Sequence, residues 1–119
     1  MWRSLLFIPT LEERFVAKAA TRGADAIILD LEASIAAERK EEARQVLPRA
    51  VDQLARDVVA TVRINPMWME AIRDLEACVI PGVKAVHLAL CESVARVQAV
   101  DGILSELEQA RGLRNGEIK

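Results

Sequence analysis

Short apolar runs alternate along this chain with longer stretches in which apolar residues recur every three or four positions. Leu5–Pro9 is the first run, short enough for a buried strand. Thr10 follows, with Glu13 three residues later, an arrangement in which each side chain can satisfy a free backbone N–H at a helix start. Leu11, Phe15, Val16, Ala19 and Ala20 then fall at helical spacing, and Gly23 is placed to close that helix in a left-handed conformation. Ala26 to Leu31 is the second strand, apolar on both faces as a covered parallel strand is. A second helix begins at about Ala37, with Ala43, Val46, Leu47, Ala50, Val51 and Leu54 as its inner stripe and Pro48 on the outer side, where a kink is expected. Val58 to Arg63 reads as strand three, Trp68 to Cys78 as a shorter helix, and Pro81-Gly82 as a turn. Strand four is expected over Ala85 to Leu90. Glu92-Ser93 opens a last helix with apolar positions Val94, Val97, Val100, Leu104 and Leu107, and Arg111 to Lys119 reads as a polar loop.

Strict alternation of strand and helix predicts an α/β fold with a parallel sheet and right-handed crossovers. Two architectures fit the pattern: a small open doubly wound sheet, or the first half of an eight-stranded barrel. The length of 119 residues suits one domain, and a hydrophobic content of 52% is enough for a substantial core. Aromatics are only 3%, so Leu, Val, Ile and Ala must fill it.

Charge narrows the function. A net charge of −2 with no basic stripe argues against nucleic acid or an anionic membrane as partner. Acidic and basic residues alternate on the helices as solvated faces do, which makes Lys40 and Arg44 surface residues in the first instance. Cys78 and Cys91 have neither zinc nor redox spacing and read as reduced, partly buried thiols of a cytoplasmic protein. Glu12 and Glu13 follow the first apolar run too soon for a signal peptide, and no run is long enough to span a bilayer.

The candidate chemistry gathers at strand ends. Arg63-Ile64-Asn65-Pro66 puts a guanidinium where a strand gives way to a loop, and the Pro prevents the ladder from continuing. A rigid two-pronged donor there suits a carboxylate or a phosphate. Asp30-Leu31-Glu32 ends the previous strand in the same way. Polar groups at one end of a parallel sheet mark the active-site end of α/β proteins. Each has a plainer reading. Arg63 and Asp30 can pair structurally, Glu32 can be a loop carboxylate, Trp68 can pack over a rim, and the single histidine, His87, lies mid-strand and is not assigned to the site. Cys91 lies just past a strand end with no base neighbour to activate it.

Taken together, these segments resemble the citrate lyase β-subunit family, also called the HpcH/HpaI aldolase family. Arg3-Ser4-Leu5-Leu6-Phe7-Ile8-Pro9 is similar to its opening strand, and Gly23 through Glu32 (GADAIILDLE) to its second-strand signature. Lys40 with Ala43-Arg44 resembles the start of its second helix. Val62-Arg63-Ile64-Asn65-Pro66 resembles its third strand, and Asp74-Leu75 and Pro81-Gly82-Val83 follow in the expected order. The resemblance covers the whole chain and implies a TIM-type (β/α)8 barrel, of which residues 1–119 are the N-terminal half through the fourth helix. It implies cleavage of a carbon–carbon bond in an acyl-CoA thioester such as citryl-CoA or malyl-CoA, or in a related 2-oxo or hydroxy acid, with Mg2+. Arg63 then holds the substrate carboxylate. Glu32 and Asp30 belong to the polar ring around the metal and its waters. The metal ligands themselves fall on later strands, so no residue here is assigned as catalytic or as a metal ligand.

The sequence departs from the family pattern at Thr10 for Gly, at Ala33 for an acid, and at Ala89-Leu90 for Pro-Lys. The losses at 33 and 90 weaken the surroundings of the metal and remove a cation from the rim. A barrel of this type runs to about 250 residues, so four strands leave two open edges and an exposed inner face. The expectation is a chain that is catalytically silent alone and poorly soluble, partly molten or oligomeric, with a homo-oligomer as the expected assembly. The alternative is a non-catalytic half-barrel that pairs with itself or with a second half. A receiver-type domain ranks last, because its third strand must end in Asp where this one has Arg63.

Overall fold

Four parallel strands and four α-helices alternate through residues 1–119, all of which the computed structural model describes. The strands are β1 (Leu5–Pro9), β2 (Ala26–Asp30), β3 (Val59–Ile64) and β4 (Val83–Leu88); the helices are α1 (Glu13–Ala19), α2 (Lys40–Leu54), α3 (Trp68–Cys78) and α4 (Val94–Ala110). Every strand pairs with its sequence neighbour, in the order β1-β2-β3-β4. That consecutive order decides between the two architectures, since a doubly wound sheet reverses direction at a switch point. Ile8, Ile27, Leu29, Val62 and Ile64 share one core with Leu47, Val51, Leu75 and Leu104 of the helices. Helices therefore cover one sheet face only, the arrangement of the first half of a (β/α) barrel.

Local sequence explains most elements. All five residues of β2 are buried, as its two-sided apolar pattern requires. Gly23 closes the first helical segment with φ 77°, after a 3-10 turn at Ala20–Arg22. The Ser93 hydroxyl accepts the Arg96 N–H at 3.2 Å and caps α4. Pro48 lies on the exposed side of α2, and the helix runs through it unbroken.

Thr10 and Glu13 form no capping box: the Thr10 hydroxyl donates instead to the Asp30 carbonyl at 2.8 Å, tying the end of β1 to the end of β2. α2 starts its regular turns at Lys40, after a 3-10 turn at Ala37–Arg39, and Val46 is half-exposed at the edge of its buried stripe, which is made by Ala43, Arg44, Leu47, Ala50, Val51 and Leu54. β1 is not buried on both sides, since Leu5 and Phe7 project from the face that carries no helices. β4 begins at Val83, two residues early, and a register shift between Ala60 and Thr61 leaves Lys84 as an extra residue.

The C-terminal segment, expected as a polar loop, is packed against the fold. Ile118 is buried, and Glu108 of α4 accepts the N–H groups of Gly116 (2.6 Å) and Ile118 (2.7 Å). Lys119 donates to the Lys84 carbonyl (3.1 Å) and accepts the Val86 N–H (2.7 Å), the bonding of a parallel strand beside β4. The outer edge of β4 is thus occupied at this point, while that of β1 is open.

Candidate functional site

The register places Pro9, Asp30, Arg63 and His87 in one row across the C-terminal ends of the four strands. Side chains alternate across a sheet. Ile8, Leu29 and Val62 point to the helices, so this row belongs to the opposite face, the inner face of a barrel. A groove of about 150 Å3 between α1 and α2 lies away from it, lined by Leu11, Val16 and Ala50 among others.

Asp30 organises the row. Its Oδ1 accepts the Glu32 N–H (2.9 Å) and Arg63 Nε (2.8 Å); its Oδ2 accepts the Ser34 N–H (2.9 Å) and Arg63 Nη2 (2.8 Å). The loop after β2 is wrapped around this carboxylate, and Arg63 meets it fork to fork. Burial works to raise the Asp30 pKa, but the Arg63 guanidinium, Ser34 and the Glu32 N–H outweigh it and bring it down to about 2. A depressed carboxylate stabilises the fold above its ordinary pKa, and that stability is lost as pH falls through the lowered value. Asp30→Asn is therefore expected to cost roughly 2 kcal/mol at pH 6. Urea titrations of wild type and variant should converge near pH 2; a gap that stays constant with pH would mean Asp30 is not the titrating group.

Arg63 stacks on the Phe7 ring, with Cζ 4.6 Å from its centroid, and Glu32 Oε2 lies 3.4 Å from Nη2. Its Nη1 makes no bond within the chain and is not buried, so one edge of the guanidinium faces the open side. The structure thus brings Arg63, Asp30 and Glu32 together, and makes Asp30 the direct partner of Arg63.

Sequence reasoning missed what supports this loop. Lys40 Nζ donates to the carbonyls of Leu31 (2.9 Å) and Glu32 (2.6 Å). Asn65 Nδ2 donates to the Leu31 carbonyl (2.8 Å) and to Asp74 Oδ2 (2.6 Å), which also accepts the Asn65 N–H (2.8 Å). Asp74 Oδ1 accepts Arg44 Nε at 2.8 Å, and Arg44 Nη2 pairs with Glu70. Lys40 and Arg44 are therefore not solvated surface charges. Arg44 is 6% exposed and Asp74 fully buried. Burial opposes the Arg44 charge, but Glu70 and Asp74 outweigh it and raise its pKa. A signal was present, since Arg44 lies three residues before Leu47 and seven before Val51, on the inner stripe. Its partner, thirty residues on, has no local signature.

His87, left out of the site on sequence grounds, stands beside Arg63. Its Nε2 lies 3.0 Å from Thr61 Oγ1, and that hydroxyl bonds the Ile27 carbonyl at 2.9 Å. Trp68 sits at the rim with the Arg96 guanidinium 4.7 Å from its ring. Cys78 is buried, which pushes its thiol pKa up, whereas Cys91 is exposed.

The residues here do not fit a Mg2+ site. Both Asp30 oxygens are taken by N–H donors, Glu32 faces Arg63, and no three Asp, Glu, His or Cys side chains come together. No helix is long and apolar enough to cross a membrane.

Known proteins share this arrangement of segments. The chain is 31% identical to citrate lyase subunit beta of Haemophilus influenzae, over 98% of this chain and 41% of that protein. It is 33% identical to the Escherichia coli K12 subunit, over 96% and 38% respectively. A (3S)-malyl-CoA thioesterase of Cereibacter sphaeroides is 34% identical over 96% of this chain and 43% of its own length. The crystal structure of RipC from Yersinia pestis matches with a TM-score of 0.59 and 33% identity, over 86% of this chain and 40% of that one. The chain thus spans about two fifths of the length of these relatives. Matched over residues 3–119, it belongs to the HpcH/HpaI aldolase/citrate lyase family.

Proposed function

We propose that this chain supplies the carboxylate-anchoring half of a carbon–carbon lyase that cleaves a 3-hydroxyacyl thioester of the citryl-CoA or malyl-CoA kind. The observation that carries the reading is the free Nη1 edge of Arg63, held at the C-terminal end of the sheet by Asp30 and Phe7. The likeness to citrate lyase subunit beta and to a malyl-CoA thioesterase supports the substrate class. Such a cleavage builds negative charge on an enolate oxygen, which needs a fixed electrophile in a dry site. On this reading that electrophile is Mg2+, with ligands outside these 119 residues, and the chain is inactive alone. Glu32 and Asp30 shape the mouth around Arg63.

Calorimetric titration of the chain with malate tests the anchor. Glu32 stands close to the same guanidinium and weakens the site, so a Kd of about a millimolar is expected. No cleavage of citryl-CoA or malyl-CoA is expected with Mg2+ present. Absence of malate binding sinks the anchor, and turnover by the chain alone sinks the placement of the metal ligands.

The exposed Leu5 and Phe7 and the open outer edge of β1 favour a second role for this surface, contact with further polypeptide. We assign it to self-association into a defined homo-oligomer. Light scattering on the eluting chain should give one integral multiple of 13.1 kDa; a strict monomer would dismiss it.

A further inference from the structure

We propose that His87 reads the hydroxyl group of the substrate and accepts its proton at Nδ1. The inference rests on the anchoring role given to Arg63 above and adds to it a residue that no sequence pattern singled out.

Thr61 fixes the tautomer of His87. Its hydroxyl has one proton, and its geometry to the Ile27 carbonyl, at 2.9 Å, directs that proton there. The 3.0 Å contact between Thr61 Oγ1 and His87 Nε2 then needs its proton from the imidazole. His87 is thereby held as the Nε2–H tautomer, and its Nδ1 carries a bare lone pair. Nδ1 has no partner in the chain and is not buried. Burial of the ring, and then the Arg63 charge, lower the His87 pKa, which keeps the ring neutral near pH 7.

Position selects the ligand. His87 is the register partner of Arg63 on the same sheet face, one strand spacing away, about 4.8 Å. An α-hydroxy acid carries its hydroxyl on the carbon that bears its carboxylate. A carboxylate on the free edge of Arg63 therefore brings that hydroxyl towards β4, where His87 offers the acceptor. Succinate, lacking the hydroxyl, satisfies Arg63 but not His87.

In the proposed cleavage the proton moves from the hydroxyl to Nδ1, and the oxygen's electron pair becomes the carbonyl bond. The bond to the neighbouring methylene breaks, and its pair enters the thioester as an enolate. The proton on Nδ1 then returns to the methylene carbon, so the step consumes no further reactant.

His87 is the only histidine in the chain, so its imidazole nitrogens are unambiguous in 15N NMR spectra of the labelled protein. At pH 7 the Nε2–H tautomer is expected, with Nδ1 showing the shift of an unprotonated ring nitrogen. Malate should move the Nδ1 resonance and succinate should not. Malate should bind roughly fivefold to tenfold tighter than succinate, the worth of one hydrogen bond, with parity in His87→Phe. Thr61→Val, which keeps the shape of that side chain, should release the ring to a mixture of tautomers. An Nδ1–H tautomer in the wild type, or equal responses to malate and succinate when both bind, overturns the assignment to His87 and leaves Arg63 standing. Failure of both ligands to bind overturns the anchor and this inference with it. Loss of succinate binding in Arg63→Ala marks the first case from the second.

Discussion

Asp74→Ala is expected to destabilise the chain by about 3–5 kcal/mol, measured by urea denaturation against wild type. Domains of this kind are held by about 5–15 kcal/mol in total, so much of the variant should be unfolded at 37 °C. The reason is the number of groups that one buried carboxylate satisfies. Asp74 accepts Arg44 Nε, the Asn65 backbone N–H and the Asn65 side-chain amide. Without it Arg44, which is 6% exposed, retains Glu70 and the exposed Glu41, whose Oε2 accepts Nη1 at 3.3 Å. Two Asn65 donors are stranded in the core. The apolar pair Arg44→Met with Asp74→Leu should recover most of the loss, because the cost lies in leaving one charge behind rather than in lacking the pair. A loss under 1 kcal/mol in Asp74→Ala would show that the cluster stabilises little. The effect also reaches the site, since Asn65 donates to the Leu31 carbonyl beside Glu32.

Arg63→Ala is expected to abolish malate binding to the chain. In a complete barrel built on this half, it should lower kcat/KM by about a thousandfold, roughly 4 kcal/mol. Two effects combine and must be separated. The first is the loss of the ligand's partner at the free Nη1 edge. The second is local: Asp30 keeps the Glu32 and Ser34 N–H groups but loses both guanidinium bonds, so its lowered pKa should climb back towards the ordinary range. Arg63→Lys separates them. It keeps the charge beside Asp30 without a planar fork, so stability should be largely retained while malate binding weakens by about tenfold. Near-normal binding or kcat/KM in Arg63→Ala would remove Arg63 from the site and leave it a structural partner of Asp30.

Different parts of the molecule were legible to different degrees. The strand–helix alternation was readable because two-sided apolar runs and helical periodicity are local properties. The strand ends that hold Asp30 and Arg63 followed from it, since a charged residue closing an apolar run has few places to go. Thr10 is ambiguous along the chain because its hydroxyl has two acceptable partners: a helix N–H close in sequence, and the Asp30 carbonyl on a neighbouring strand. Lys40 and Arg44 look like surface residues along the chain because charge on a helix is usually solvated, and only the docking of α3 against α2 brings Glu70 and Asp74 to Arg44. Glu108 and Ile118 show the same limit, since nothing near residue 118 marks it as a core position.

The order of elements, the covered nature of β2 and the gathering of Asp30, Glu32 and Arg63 at one end of the sheet are all legible along the chain. Each depends on periodicity and on charges adjacent to apolar runs, which are written within a few residues of one another. Folding is what lays the strands in consecutive order, lets Asp30 grip Arg63 fork to fork, and stands His87 next to it with its Nδ1 open. Those are matters of register between segments about thirty residues apart, set by how a whole sheet buries its apolar face, and no local pattern encodes them.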